Sequence, residues 1–207
     1  MSPLIHIVDD DHQLRQALGG LLRSMDYDTM DHPSIETFLR ADKPARPGCV
    51  LVDVRLPDGN GLNLQARMVA HGVLQPVIIM TGYGDIAMSV RAMKAGAVDF
   101  LTKPVRDQDL FDAVTAAIER DRTRLGRQQG ETELEGRYAR LSPRECEVMA
   151  LVTQGLLNKQ VAAELSLSEA TVKTHRKSAM QKMKARTLAE WVRLADRLGT
   201  RGHGLKV

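Results

Sequence analysis

Apolar runs of four or five residues recur through the first half of the chain: Leu4-Ile5-His6-Ile7-Val8, Cys49-Val50-Leu51-Val52, Val77-Ile78-Ile79-Met80 and Val98-Asp99-Phe100-Leu101, with a weaker one near Tyr27 to Met30. They are short and continuous rather than alternating, which reads as strands buried on both faces. Between them the spacing turns helical. Leu14, Leu18, Leu21, Leu22 and Met25 form one apolar stripe, with Asp11 as N-cap of a helix beginning near His12. Pro33-Ser34 opens a short helix that ends before the Lys43-Pro44-Ala45-Arg46-Pro47 breaker. Further helices are predicted from about Leu62 to Ala70, from Gly84-Asp85 to near Gly96, and from near Asp107. Strands alternating with helices predict a parallel sheet covered on both faces.

The pattern changes after Glu119. From there to Arg140 the chain is charged, punctuated by Gly126, Gly130 and Gly136, and lacks a sustained apolar face, so it reads as a linker whose first part can extend the preceding helix. Only helical signals follow. Ser142, Pro143 and Glu145 form a capping-box start, and Gly155 ends that helix. Asn158 is placed to cap the next, which carries Val161, Ala162 and Leu165. Ser168 caps a third helix running to about Met183, and a fourth runs from about Thr187 to Leu198 with Leu188, Trp191, Val192 and Leu194-Ala195. The expected architecture is an α/β flavodoxin-like (βα)5 domain of strand order 2-1-3-4-5 over residues 1–120, a charged linker over 121–138, and an all-α four-helix domain over 139–207.

Length and charge sharpen this picture. The 207 residues suffice for two small domains, and 43% apolar with 27% charged residues is an ordinary globular balance. No apolar run reaches the roughly 18 residues of a membrane span, so the expected location is cytoplasmic, with no membrane partner. Cys49 and Cys146 have no metal-ligand spacing and read as reduced thiols in or near the core. Residues 1–120 carry a net charge of −4 and residues 121–207 carry +7, which assigns a polyanionic partner to the second half.

Candidate chemistry sits where the strands end. Asp9, Asp10 and Asp11 close the first run and Asp53 closes the third, so a parallel sheet would gather Asp9, Asp10 and Asp53 at one edge. Crowded carboxylates call for a hard cation, and oxygen ligands with room for water suit Mg²⁺ (or Mn²⁺). Thr81 and Lys103 end the next two runs and bring a hydroxyl and an ammonium to the same edge. A nucleophilic carboxylate, a metal cradle, a hydroxyl and a cation are what a phosphoryl group needs while moving onto an aspartate.

These five separated positions resemble the receiver domain of bacterial two-component response regulators. The resemblance implies Asp53 as phosphoacceptor, Asp9 and Asp10 as the acid pair, and Asp10, Asp53 and the backbone carbonyl of Arg55 as direct metal ligands. It implies that Thr81 hydrogen-bonds the phosphoryl group, that Lys103 pairs with it, that Phe100 turns inward once Thr81 moves, and that Lys103-Pro104 is a cis peptide.

In the second half, two short helices joined by Ser166-Leu167-Ser168, the second of them basic, form a helix-turn-helix pattern. Between Glu169 and Arg186 stand Lys173, Arg176, Lys177, Lys182, Lys184 and Arg186 against a single acid. Val172, Ala179, Met180 and Met183 are placed to face inward, with Lys173 and Lys177 aligned outside. The stretches Leu141–Glu145, Gly155–Ala162 and Ser168–His175 resemble the LuxR-type DNA-binding domain, with two departures: Leu157 where a small polar residue is more usual, and Met183 where Leu is. By that resemblance Lys173, Arg176 and Lys177 contact DNA, Thr171 and His175 lie near the backbone, and Lys159 touches phosphate from the preceding helix. His175 also suits a core edge.

The whole chain resembles FixJ/NarL-type response regulators. That implies a sensor histidine kinase donating a phosphoryl group to Asp53, a receiver that then forms a homodimer, promoter DNA held by the second domain, and RNA polymerase as a further partner in activating transcription. Two other readings stay open. One is a Mg²⁺-dependent phosphohydrolase of similar topology, although Val54 and Arg55 leave no general acid two residues beyond Asp53. The other is constitutive DNA binding by a protein whose receiver does not signal.

Overall fold

The computed structural model describes residues 2–82 and 86–199, and the chain divides into two compact units, Met1–Gly126 and Arg127–Val207. The first is built from β1 (Leu4–Val8), α1 (His12–Arg23), β2 (Asp28–His32), α2 (Ile35–Arg40), β3 (Gly48–Asp53), a two-residue ribbon of β4 (Arg55–Leu56) and β5 (Gly59–Asn60), α3 (Leu64–Ala70), β6 (Val77–Thr81), α4 (Ile86–Lys94), β7 (Asp99–Thr102) and α5 (Asp107–Tyr138). The five main strands are parallel in the order β2-β1-β3-β6-β7, which is 2-1-3-4-5 once the ribbon is set aside. The fold is the expected flavodoxin-like one.

Each continuous apolar run feeds two cores because successive side chains point to opposite faces. Ile5, Ile7, Cys49, Leu51, Ile78 and Met80 pack with Leu18 and Leu22 of α1 and Leu110, Val114 and Ile118 of α5. Val8, Val50, Val52, Val77 and Ile79 pack with Ile35 and Phe38 of α2 and Leu64 and Met68 of α3. Asp11 caps α1 as expected, accepting from the backbone N–H groups of Gln13 and Leu14. Met25 departs from expectation: α1 ends at Arg23, so Met25 leaves the helical stripe and is 47% exposed. The weak second strand lies at Asp28–His32 rather than Tyr27–Met30, because its register is set by pairing with β1. The expected helix start at Gly84-Asp85 lies outside the described residues.

Two long-range contacts fix the loop that follows Asp53. Asp58 accepts from the backbone N–H groups of Ile35 (3.2 Å) and Glu36 (2.8 Å), so the turn after β3 caps α2 together with Ser34. At Gly61 a Cβ would stand 2.1 Å from the Asp53 carbonyl oxygen, so only glycine lets the chain return this close to β3. Behind the sheet, His6 and His32 are buried and share an Nδ1···Nε2 contact of 3.0 Å, with Phe38 edge-on to both rings. Burial, followed by neighbouring positive charge, lowers His6 to about 3 and His32 to about 4, so both are neutral imidazoles near neutral pH.

The charged stretch after Glu119 is helical, continuing α5 to Tyr138. Asp121, inside that stretch, is fully buried, and its carboxylate accepts from Gly48 N (3.0 Å) and Arg124 Nε (2.7 Å). In the second unit, α6 (Pro143–Thr153), α7 (Asn158–Glu164), α8 (Glu169–Lys182) and α9 (Leu188–Arg197) enclose Val148, Met149, Val161, Val172, Ala179, Met183 and Trp191, joined by Leu134 of α5. Ser142, Ser168 and Thr187 cap α6, α8 and α9. Asn158 is not a cap. It is the first residue of α7, the cap position falls on Leu157, and the Leu157 N–H is satisfied by Gln160 Oε1 at 2.8 Å. Leu188, expected on the apolar face of the last helix, is exposed because it begins that helix. No helix among the described residues is long and apolar enough to cross a membrane.

Candidate functional site

Parallel strands that start together end together, and that geometry assembles the acid pocket. Register pairs Val8 with Val52, Asp53 with Met80, and Thr81 with Thr102, so Asp9, Asp53, Thr81 and Lys103 all emerge at the C-terminal edge of the sheet. One carboxylate oxygen each from Asp9, Asp10 and Asp53 lies within 4.8 Å of the others. Asp9 is fully buried and Asp53 nearly so, while Asp10 is exposed. Lys103 Nζ joins the group, 2.6 Å from Asp9 Oδ2 and 3.1 Å from Asp53 Oδ2.

The remaining expected residues fall around this centre. Thr81 is buried at the end of β6, and its carbonyl accepts from Lys103 N at 2.7 Å. The Lys103-Pro104 peptide is cis. Arg55 opens the ribbon two residues beyond Asp53. Phe100 is half-buried on β7, against the cluster that includes Ile79 and Ala92.

Both oxygens of Asp9 are engaged: Oδ1 accepts from Asp11 N at 3.0 Å and Oδ2 from Lys103. Burial raises the Asp9 pKa, and the nearby Asp53 charge adds to it against the opposing hydrogen bonds from Lys103 and Asp11. For Lys103, burial alone would lower the pKa, but its bonds to Asp9 and Asp53 outweigh that and raise it, so the ammonium stays charged. The pocket is therefore a set of hard oxygen donors, one fixed in place by hydrogen bonds and one open to water, with a permanent cation beside the Asp53 carboxylate. Such a set can accept a divalent ion and stabilise charge developing on an oxyanion at Asp53.

Arg15 and Gly61 were not singled out by sequence reasoning. Arg15 did leave a trace, a charge at the core spacing of Leu18 and Leu22; it is buried and Nη1 donates to the Asp9 carbonyl at 2.6 Å.

In the second unit, α7 and α8 meet through a three-residue turn in which Ser166 is left-handed (φ 54°) and Leu167 N bonds to Ala162 O at 2.9 Å. Val172, Ala179 and Met183 face inward; Lys173 and Lys177 face out, and Lys159 is exposed on α7. Lys173, Arg176, Lys177 and Gln181 line a shallow groove of about 400 Å³ floored by Met180 and Ala185. Arg176 is also a strut, its Nη1 donating to Asn158 Oδ1 at 3.1 Å and joining the two helices. Thr171 completes the Ser168 cap, with an Oγ to Oγ1 separation of 2.7 Å, and His175 is half-buried. Lys182, counted in the basic stripe, turns away: Nζ lies 2.6 Å from the buried Glu145 carboxylate. Leu157 is 71% exposed at the start of α7.

Together, the fold and the strand-end pocket define a receiver domain, here followed by a helix-turn-helix module. Residues 5–115 match the response regulator receiver domain family, and residues 139–195 match the luxR family of bacterial regulatory proteins. The chain belongs to the response regulators and carries a LuxR-type DNA-binding domain, consistent with a transcription regulator. It is 47% identical to nodulation protein W of Bradyrhizobium diazoefficiens over 95% of this chain and 86% of that protein. It is 40% identical to the transcriptional regulatory protein FixJ of Azorhizobium caulinodans over 92% of this chain and 90% of that one. Among solved structures, the response regulator StyR superposes with a TM-score of 0.83 at 38% identity, covering 95% of this chain and 100% of that one. Full-length FixJ from B. japonicum gives 0.57, also at 38%, covering 96% and 98%. Of these, StyR is a response regulator and FixJ a transcriptional regulatory protein.

Proposed function

We propose that the protein accepts a phosphoryl group on Asp53 from a sensor histidine kinase, dimerises through its receiver, and binds promoter DNA through α8 as a transcriptional activator that engages RNA polymerase. The working division is a receiver over 1–120, a connecting segment over 121–138 and a DNA-binding domain over 139–207. The observation that best supports this reading is the Lys103 ammonium bridging the Asp9 and Asp53 carboxylates at the sheet edge.

The donor set fits Mg²⁺ or Mn²⁺. Asp9, Asp10 and Asp53, with the Arg55 carbonyl, would hold the ion, and the exposure of Asp10 leaves room for water ligands. When bound, the ion neutralises charge on the transferring phosphoryl oxygens. An Asp53 carboxylate oxygen attacks phosphorus, the P–N bond to the donor histidine breaks, and its electron pair stays on an imidazole nitrogen. Lys103 then pairs with a phosphoryl oxygen, and the Thr81 hydroxyl donates to another. The drawing in of Thr81 frees space for Phe100 to turn inward. A doubly charged group thereby biases two receiver conformations, and pairing of the favoured one doubles the DNA contacts made at once.

Incubation with a small-molecule phosphodonor and Mg²⁺ should double the mass of the full chain by light scattering and tighten its binding to promoter DNA. Unchanged mass and unchanged affinity after stoichiometric labelling would support constitutive DNA binding instead. Steady turnover of a phosphate ester would point to the hydrolase.

On the DNA side, Lys159, Thr171, Lys173, His175, Arg176 and Lys177 are the proposed contacts. Lys173→Ala should weaken binding across sequences and lower the slope of log affinity against log salt by about 1, since one phosphate contact releases close to one counterion. An unaltered salt slope would remove Lys173 from the interface.

A further inference from the structure

A second cation stands behind the acid pocket. Arg15 occupies the apolar stripe of α1 and is only 8% exposed. Apart from the Nη1 bond to the Asp9 carbonyl, its Nε is buried without a hydrogen-bond partner, and it makes no ion pair among the described residues. Burying a guanidinium without a carboxylate is costly, so its charge must be offset at longer range.

The adjoining groups narrow the source of that offset. His32 faces Arg15 but is neutral, and His6 behind it is neutral too. Lys43, which acts on both rings, adds positive charge. The carboxylates reached through the Asp9 backbone, which Arg15 binds, are those of Asp9, Asp10 and Asp53, three with one lysine between them. Arg15 holds the carbonyl of the same residue whose carboxylate binds Lys103, which places Nη1 within roughly 8 Å of that carboxylate by covalent geometry.

We infer that Arg15 is a positioning residue that sets the divalent-ion affinity of the receiver pocket, pinning the end of β1 through the Asp9 carbonyl and lowering the negative potential at the three carboxylates. The ion is then held loosely enough to exchange. This rests on the metal-binding reading proposed above. Under water-like screening, which suits a pocket opened to solvent by the exposed Asp10, a unit charge about 8 Å from a divalent cation changes its affinity by about three- to tenfold.

The test is calorimetric titration of Mg²⁺ into the full chain. Arg15→Gln, neutral but still a donor, should bind Mg²⁺ about three- to tenfold more tightly, and Arg15→Lys should restore the original affinity. A merely structural role predicts the reverse, because loosening Asp9 weakens the site. Unchanged or weaker Mg²⁺ binding by folded Arg15→Gln overturns the inference. Arg15→Met, neutral and of similar length, is measured alongside so that loss of fold in one variant still leaves a reading from the other. Phosphoryl labelling of the unsubstituted chain separates the two ideas. A labelled chain whose Mg²⁺ affinity is indifferent to Arg15 defeats this inference alone. An unlabelled chain whose affinity still responds to Arg15 defeats the acceptor role alone.

Discussion

Asp53→Asn is expected to abolish phosphoryl uptake from a small-molecule donor with Mg²⁺, cutting the labelling rate by roughly 100-fold or more, since the amide lacks a nucleophilic oxygen of comparable strength. The substitution is nearly isosteric. Lys103 keeps its 2.6 Å contact with Asp9, and the pocket loses one of three mutually repelling charges, so the fold should hold or gain slightly in thermal stability. That separates the chemical effect from unfolding. Phosphate incorporation measured by intact mass is the readout, and undiminished labelling would move the acceptor away from Asp53.

The second large effect is expected at Glu145, the hub of the DNA-binding unit. Its carboxylate is buried and accepts from Ser142 N (2.7 Å), Ser178 Oγ (2.6 Å) and Lys182 Nζ (2.6 Å), tying the start of α6 to α8. Burial alone would raise its pKa, but the bonds from Lys182, Ser178 and the Ser142 backbone outweigh that and hold it at about 2. Glu145→Ala strips these three donors of their partner and should cost about 2–4 kcal/mol. Trp191 is the chain's single tryptophan and is fully buried in this unit, so its fluorescence follows the loss directly. Because the folded pKa is depressed, the stabilisation is fully present above pH 4.5 and fades as pH falls toward 2. The stability gap between the two proteins should therefore close between those pH values. A gap that stays constant down to pH 2 would show that the carboxylate charge is not what stabilises the unit.

Much of this was legible in the residue pattern, for identifiable reasons. Apolar runs this short, bounded by turn signals, read as strands buried on both sides, and parallel strands align their ends, so the placement of Asp9, Asp53, Thr81 and Lys103 along the chain already predicts their meeting. Capping is equally local: Asp11, Ser142 and Ser168 act on backbone N–H groups two or three residues away. Asn158 shows the limit of such reasoning. It has the chemistry of a cap, but α7 begins one residue earlier than expected, and its oxygen serves Arg176 across the helix pair.

Local order therefore determined the strands, the caps and the identity of the residues at the sheet edge. Only the tertiary structure decided which oxygen of which aspartate Lys103 would reach, that Lys182 would turn inward to Glu145 rather than join the basic face, and that Asp121 would anchor α5 to β3. The reason is separation along the chain: Lys103 and Asp9 are 94 residues apart, Lys182 and Glu145 are 37, and Asp121 and Gly48 are 73. Short-range periodicity carries no information about which distant charge a side chain will meet. Packing of whole elements fixes that choice, and burial then makes it energetically decisive.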